Sequence, residues 1–137
     1  MTVQDRLVAL AEAEHAAAYG YGVLGARLDA AGRRFARTAY DSHRARRDQV
    51  IAALGGNAPA PLASYDVAVA DPTEALALAV RIETGLSQRW RDLVGDTDDR
   101  ALRTLGIAGL QETAVRAAQW RKRAGTSPVT VALPGAG

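Results

Sequence analysis

Four stretches of this chain repeat apolar residues at alternating steps of three and four. Each places one ionisable side chain, Glu14, His43, Glu83 or Glu112, where the spacing asks for an apolar one. Helices of this pattern bury their stripes by packing on one another, which brings three carboxylates and an imidazole toward a common axis. Such groups are costly to desolvate unless they are paired or hold a metal.

The punctuation of the chain gives helices at about 3–29, 33–54, 73–94 and 98–124, followed by a tail over 126–137, all in one domain. Thr2 with Asp5 opens the first helix as a capping pattern, and Asp71-Pro72-Thr73-Glu74 opens the third. Ala30-Ala31-Gly32 reads as a tight connection, Gly55-Gly56 as a stop, and the stretch from Asn57 to Ala70, with Pro59 and Pro61, as a long link. Helices of this length are roughly 33 Å long and the link reaches about 50 Å when extended, so it can cross the bundle from end to end. Two short links flanking one long crossover between helices 2 and 3 predict an all-α, ferritin-like four-helix bundle. The tail alternates Val129, Val131 and Leu133 and reads as an extended arm laid on the bundle or on a neighbour.

Composition narrows the chemistry. There is no cysteine, so disulfides and thiolate metal sites are excluded. The first fifteen residues carry Asp5, Arg6, Glu12 and Glu14 without an apolar run, which predicts no membrane contact and a cytoplasmic protein. Sixteen of the seventeen basic residues are arginine and the net charge is only +2, so overall charge points to no partner. Arg33, Arg34, Arg37, Arg44, Arg46 and Arg47 on the second helix read as spread around it, and no helix-turn-helix or basic arm accompanies them, so nucleic acid is not the expected partner.

In di-iron bundles, one helix of each pair gives a Glu and the other gives Glu-x-x-His. Glu14 and Glu83 fill the single-Glu places, His43 the second-helix His place and Glu112 the fourth-helix Glu place. Tyr40 stands where the other Glu is expected and Val115 where the other His is expected. With a carboxylate and an imidazole missing, a complete two-ion centre is not expected. Arg46 or Arg47, one turn beyond His43, is expected to set a guanidinium among the carboxylates in place of metal charge, and Tyr19, Tyr21 and Tyr40 to supply hydroxyl donors. The alternative keeps iron or manganese on Glu14, His43, Glu83 and Glu112. His15 reads as a surface or interface histidine, and Trp90 and Trp120 as packing residues. No nucleophile elbow or phosphate loop is present, so no catalytic residue is assigned.

Four segments together carry a family resemblance: Glu12-Ala-Glu-His-Ala-Ala-Ala-Tyr-Gly-Tyr-Gly, Tyr40-Asp-Ser-His-Arg-Ala-Arg-Arg-Asp, Ala114-Val-Arg-Ala-Ala-Gln-Trp-Arg and Pro128-Val-Thr-Val-Ala-Leu-Pro-Gly. They resemble the bacterial, commonly actinobacterial, ferritin-like family labelled domain of unknown function 4439. The resemblance covers nearly the whole chain. It implies a ferritin-like bundle and no particular reaction. The resulting expectation is a non-enzymatic domain with no cofactor, whose metal site has become an internal polar network and which acts as a homodimer or partner-binding module. The rival expectation is an iron- or manganese-dependent oxidoreductase or storage protein; a small-molecule ligand stays open.

Overall fold

The computed structural model describes residues 1–136. It contains four α-helices, α1 (Val3–Gly25), α2 (Ala30–Leu54), α3 (Pro72–Asp96) and α4 (Arg100–Ala124), with a short 3₁₀ turn at Gly55–Asn57. No strand is present among the described residues. Each α-helix starts on an oxygen-bearing cap that takes up free backbone N–H groups: Thr2 with Asp5 in a reciprocal box, Asp29 on Gly32, Asp71 on Glu74, and Asp99 on Leu102. The Asp29 cap explains a shift from the expected boundaries. Ala30, Ala31 and Gly32 form the first turn of α2, and the connection is residues 26–29.

The order of packing follows from the links. α1 packs on α2 and α3, α3 packs on α4, and α2 barely touches α4. Arg6 near the start of α1 pairs with Asp92 and Asp96 near the end of α3, so these two helices are antiparallel. Since α2 also runs against α1, α2 and α3 point the same way. The crossover between them therefore has to travel the length of the bundle, and it does so along α1. Pro59 lies by His15, the Tyr65 ring is 5.3 Å from that of Tyr19, and the Val69 carbonyl accepts from Arg27.

Two apolar layers fill the interior. Leu7, Leu10, Val50, Leu54, Leu86, Trp90 and Leu93 pack at one end. Tyr21, Leu24, Leu28, Ala36, Ala39, Ala75, Ala79 and Trp120 pack at the other. The α1 stripe read from sequence is buried throughout, whereas α4 is turned by one residue from its expected phase. Val115, expected inside, is 59% exposed, and the buried face is Gly106, Gly109, Thr113, Arg116, Ala117 and Trp120. The cause is the indole of Trp90. A Cβ added at Gly109 would sit 2.4 Å from that ring, so α3 and α4 meet where α4 has no side chain.

The tail beyond Gly125 lies on the bundle without forming a strand. The Val129 carbonyl accepts from Arg121, and Gly135 comes against the backbone of Ser87. Gly137, the last residue of the expected tail, lies outside the described residues. No described helix is long and apolar enough to cross a membrane.

Candidate functional site

Between the two apolar layers lies a polar one. Glu14 of α1, His43 of α2 and Glu83 of α3 are all essentially inaccessible, at 0, 1 and 0% exposure. Each sits on its helix one step of three or four from buried neighbours, which carries it inward. The His43 imidazole spans the other two: Nδ1 is 2.7 Å from Glu14 Oε2 and Nε2 is 2.7 Å from Glu83 Oε1.

Two carboxylates at hydrogen-bond distance from both ring nitrogens require a proton on each line, which the imidazolium supplies. Burial by itself would push His43 down. The hydrogen bonds to Glu14 and Glu83, with their charges, outweigh it and hold the imidazole at about 9. Burial pushes the Glu14 carboxyl up, opposed in part by its bond to His43. An imidazolium donating from both nitrogens accommodates both short contacts.

Glu83 is the most heavily contacted of the three acids. Its Oε1 also accepts from the Tyr21 hydroxyl at 2.8 Å and from Arg116 Nη1 at 3.2 Å, and Trp120 Nε1 in turn donates to the Tyr21 oxygen at 2.8 Å. The Tyr21 ring stacks on His43 with centroids 5.4 Å apart. Burial, together with the neighbouring Glu83 charge, pushes the Tyr21 phenol well above its ordinary value.

Arg116 then carries the network outward. Its Nη2 lies 2.8 Å from Glu112 Oε1, and Arg46 places Nε 3.1 Å from Glu112 Oε2. Glu112 is only partly buried, and the two guanidiniums outweigh that burial and lower its carboxyl pKa. The run from Glu14 to Arg46 thus alternates negative and positive groups, three of each, and is neutral when His43 is protonated.

Of the expected partners, Arg46 does reach Glu112, but Arg47 turns to Asp48 instead, at 2.9 Å. Tyr40 joins no hydrogen bond among the described residues; its ring lies between the guanidiniums of Arg37 and Arg44. Of the tyrosines, Tyr21 supplies the buried hydroxyl and Tyr19 packs on the crossover. His15 is 7% exposed rather than on the surface, with Nε2 3.3 Å from the Pro59 carbonyl. Sequence reasoning missed Arg116, the guanidinium that enters the interior. The signal was available in the stripe Gly106, Gly109, Thr113, Arg116, Trp120, which keeps steps of three and four but is poor in large apolar residues.

The donors do not fit a pair of metal ions. Both nitrogens of His43 aim at carboxylates, and Glu83, which would have to bridge ions, already accepts three hydrogen bonds, two of them from the cations His43 and Arg116. Among the described residues no three His, Asp or Glu side chains converge on a common point that would hold a metal. Only Glu14 Oε1 is buried and without a partner in this layer.

The family model described as Domain of unknown function (DUF4439) matches residues 7–137. The chain belongs to this family. The DUF4439 chain is similar in fold to the crystal structure of a conserved hypothetical protein, rv2844, from Mycobacterium tuberculosis. The two share 33% sequence identity with a TM-score of 0.84, over 96% of this chain and 97% of that one. No curated protein matches the DUF4439 chain.

Proposed function

We propose that this DUF4439 protein is a non-enzymatic, cytoplasmic, ferritin-like helical module. Its polar layer is the degenerate form of a metal site, and it acts by associating with a second copy of itself. The observation that carries the first part is Arg116, whose guanidinium faces Glu83 and Glu112 at 3.2 and 2.8 Å, supplying the positive charge that ions would otherwise bring. An imidazole held from both sides has no nitrogen left to take a substrate proton, which supports a structural role for the layer.

Support for association comes from the opposite side of α4. Ile107 and Val115 are exposed there, Val115, Val129 and Val131 line a groove of about 380 Å³ between α4 and the tail, and Leu133 of the tail is exposed beyond it. A stable homodimer buries about 800 Å² on each partner, and a helix face plus a laid-down tail is of that scale. Sedimentation of the full chain at micromolar concentration tests it: a dimer that Val115→Asp converts to monomer is expected, and a wild-type monomer sinks the association. Elemental analysis of the purified protein should find less than about one equivalent of Fe, Mn or Zn; two tightly held ions per chain would sink the degenerate-site reading.

A second reading rests on the unpartnered Glu14 Oε1. A single iron or manganese ion drawn to it, with His43 released from Glu14, would restore a metal-dependent oxidoreductase or storage role. Iron-dependent peroxide consumption that Glu83→Ala abolishes would favour it.

A further inference from the structure

We infer that the groove between α1 and α2, on the outer side of the first hairpin, binds a small molecule bearing a phosphoanhydride chain, through Arg33, Arg37 and Arg44. The six arginines of α2 are spread around it as expected, but Arg33, Arg37 and Arg44, at steps of four and seven, share one face. They line a groove of about 620 Å³ together with Tyr40, and no acidic residue lines it.

The floor is made of small residues. Gly25 and Ala36 are buried beneath the groove, Gly22 and Ala26 are exposed along its α1 side, and a Cβ added at Gly22 would meet no atom within 4 Å. Gly22 therefore touches no neighbouring helix, and it leaves the groove open on the α1 side. The walls are held in place by Tyr40, whose ring centroid lies 5.9 Å from the Arg37 guanidinium and 5.5 Å from that of Arg44.

The guanidiniums have donors to spare. Arg44 makes no hydrogen bond or ion pair among the described residues, Arg33 makes one long contact to the Leu28 carbonyl at 3.4 Å, and Arg37 meets Asp41 at 3.7 Å, both largely exposed. Planar forks with free N–H groups match phosphate oxygens two at a time. Arg33 to Arg44 spans about 16 Å along α2, the reach of two or three linked phosphates with an attached group rather than of a single carboxylate. A nucleoside diphosphate and inorganic polyphosphate share this chemistry.

Titration calorimetry of the full-length protein at low salt, with sodium tripolyphosphate in one arm and ADP in the other, tests the inference. Binding in at least one arm is expected, and the tighter arm identifies the source of the chain. Arg37→Gln and Arg44→Gln should each weaken binding by about tenfold. Gly22→Leu should weaken it as much by filling the recess without changing charge. Arg34→Gln, which removes a charge from the same helix outside the groove, should change it by less than about twofold. Absence of binding at millimolar ligand, equal weakening by Arg34→Gln, unaltered binding in Gly22→Leu, or displacement of either ligand by duplex DNA would overturn it.

Discussion

Arg116 enters the interior of the bundle to lie 3.2 Å from Glu83, a cation from α4 meeting an anion from α3 with under a tenth of the arginine exposed. Removing one member of such a pair strands the other charge in a medium that solvates it poorly. Arg116→Met should lower unfolding free energy by about 3–5 kcal/mol in urea denaturation, and Glu83→Gln in the same chain should recover part of that loss. Arg46→Ala, at the wet end of the same chain of charges, should cost no more than about 1 kcal/mol.

Stability should fall on the alkaline side. The His43 imidazole is raised from 6.5 to about 9, so the folded state holds its proton more tightly than the unfolded state does. That contribution, on the order of 3 kcal/mol, is complete below about pH 6.5 and is lost as pH rises through about 9. The raised Glu14 carboxyl acts in the same sense, and the lowered Glu112 gives an opposite loss under acid. Urea midpoints measured from pH 6 to 10 should drop steadily in the wild type, and the slope should be largely absent in His43→Gln.

Two glycines should respond in opposite directions to alanine. Gly109→Ala drives a methyl into the Trp90 ring and should cost about 1–3 kcal/mol or more, because the indole has no space to retreat into. Gly22→Ala meets open space and should add about 0.5–1 kcal/mol from helix propensity. Thermal unfolding of the two variants measures both.

Ultraviolet titration of the native protein should show one of its four tyrosines failing to ionise until the fold is lost. Tyr21 is that residue, since its phenolate would be buried against the Glu83 carboxylate. Tyr21→Phe should abolish the late step. It should also cost about 1–2 kcal/mol, because Trp120 Nε1 and Glu83 each lose one partner while Glu83 keeps two others.

The sequence made the four-helix bundle legible because its strongest signals were caps and link lengths. Asp71-Pro72 and the fourteen residues that follow Asn57 leave little choice of topology. Glu14, His43 and Glu83 were legible for a related reason: they interrupt stripes of large apolar residues, so their inward direction follows from their neighbours. The α4 face was not, because it buries glycine, threonine and arginine, and hydrophobicity assigns none of these inside. One residue of phase, about 100°, then exchanged Val115 for Arg116 and hid the guanidinium that reaches Glu83, although Arg46 meets Glu112 as its position on α2 suggested. The Arg33, Arg37, Arg44 groove was hidden differently. Six arginines in fifteen residues read as uniform until the hairpin partner shows which of them face a recess.

The polar layer is divided between the hairpins: Glu14 and His43 belong to the first, Glu83, Glu112 and Arg116 to the second. Purely apolar stripes tolerate sliding, since one leucine serves nearly as well as the next. Here a slip of the second hairpin against the first by a single turn, about 5.4 Å, would withdraw Glu83 from His43 and Tyr21, and Glu112 from Arg46, at once. The hairpins are therefore keyed to one alignment, and a long crossover that imposes none of its own suffices to join them.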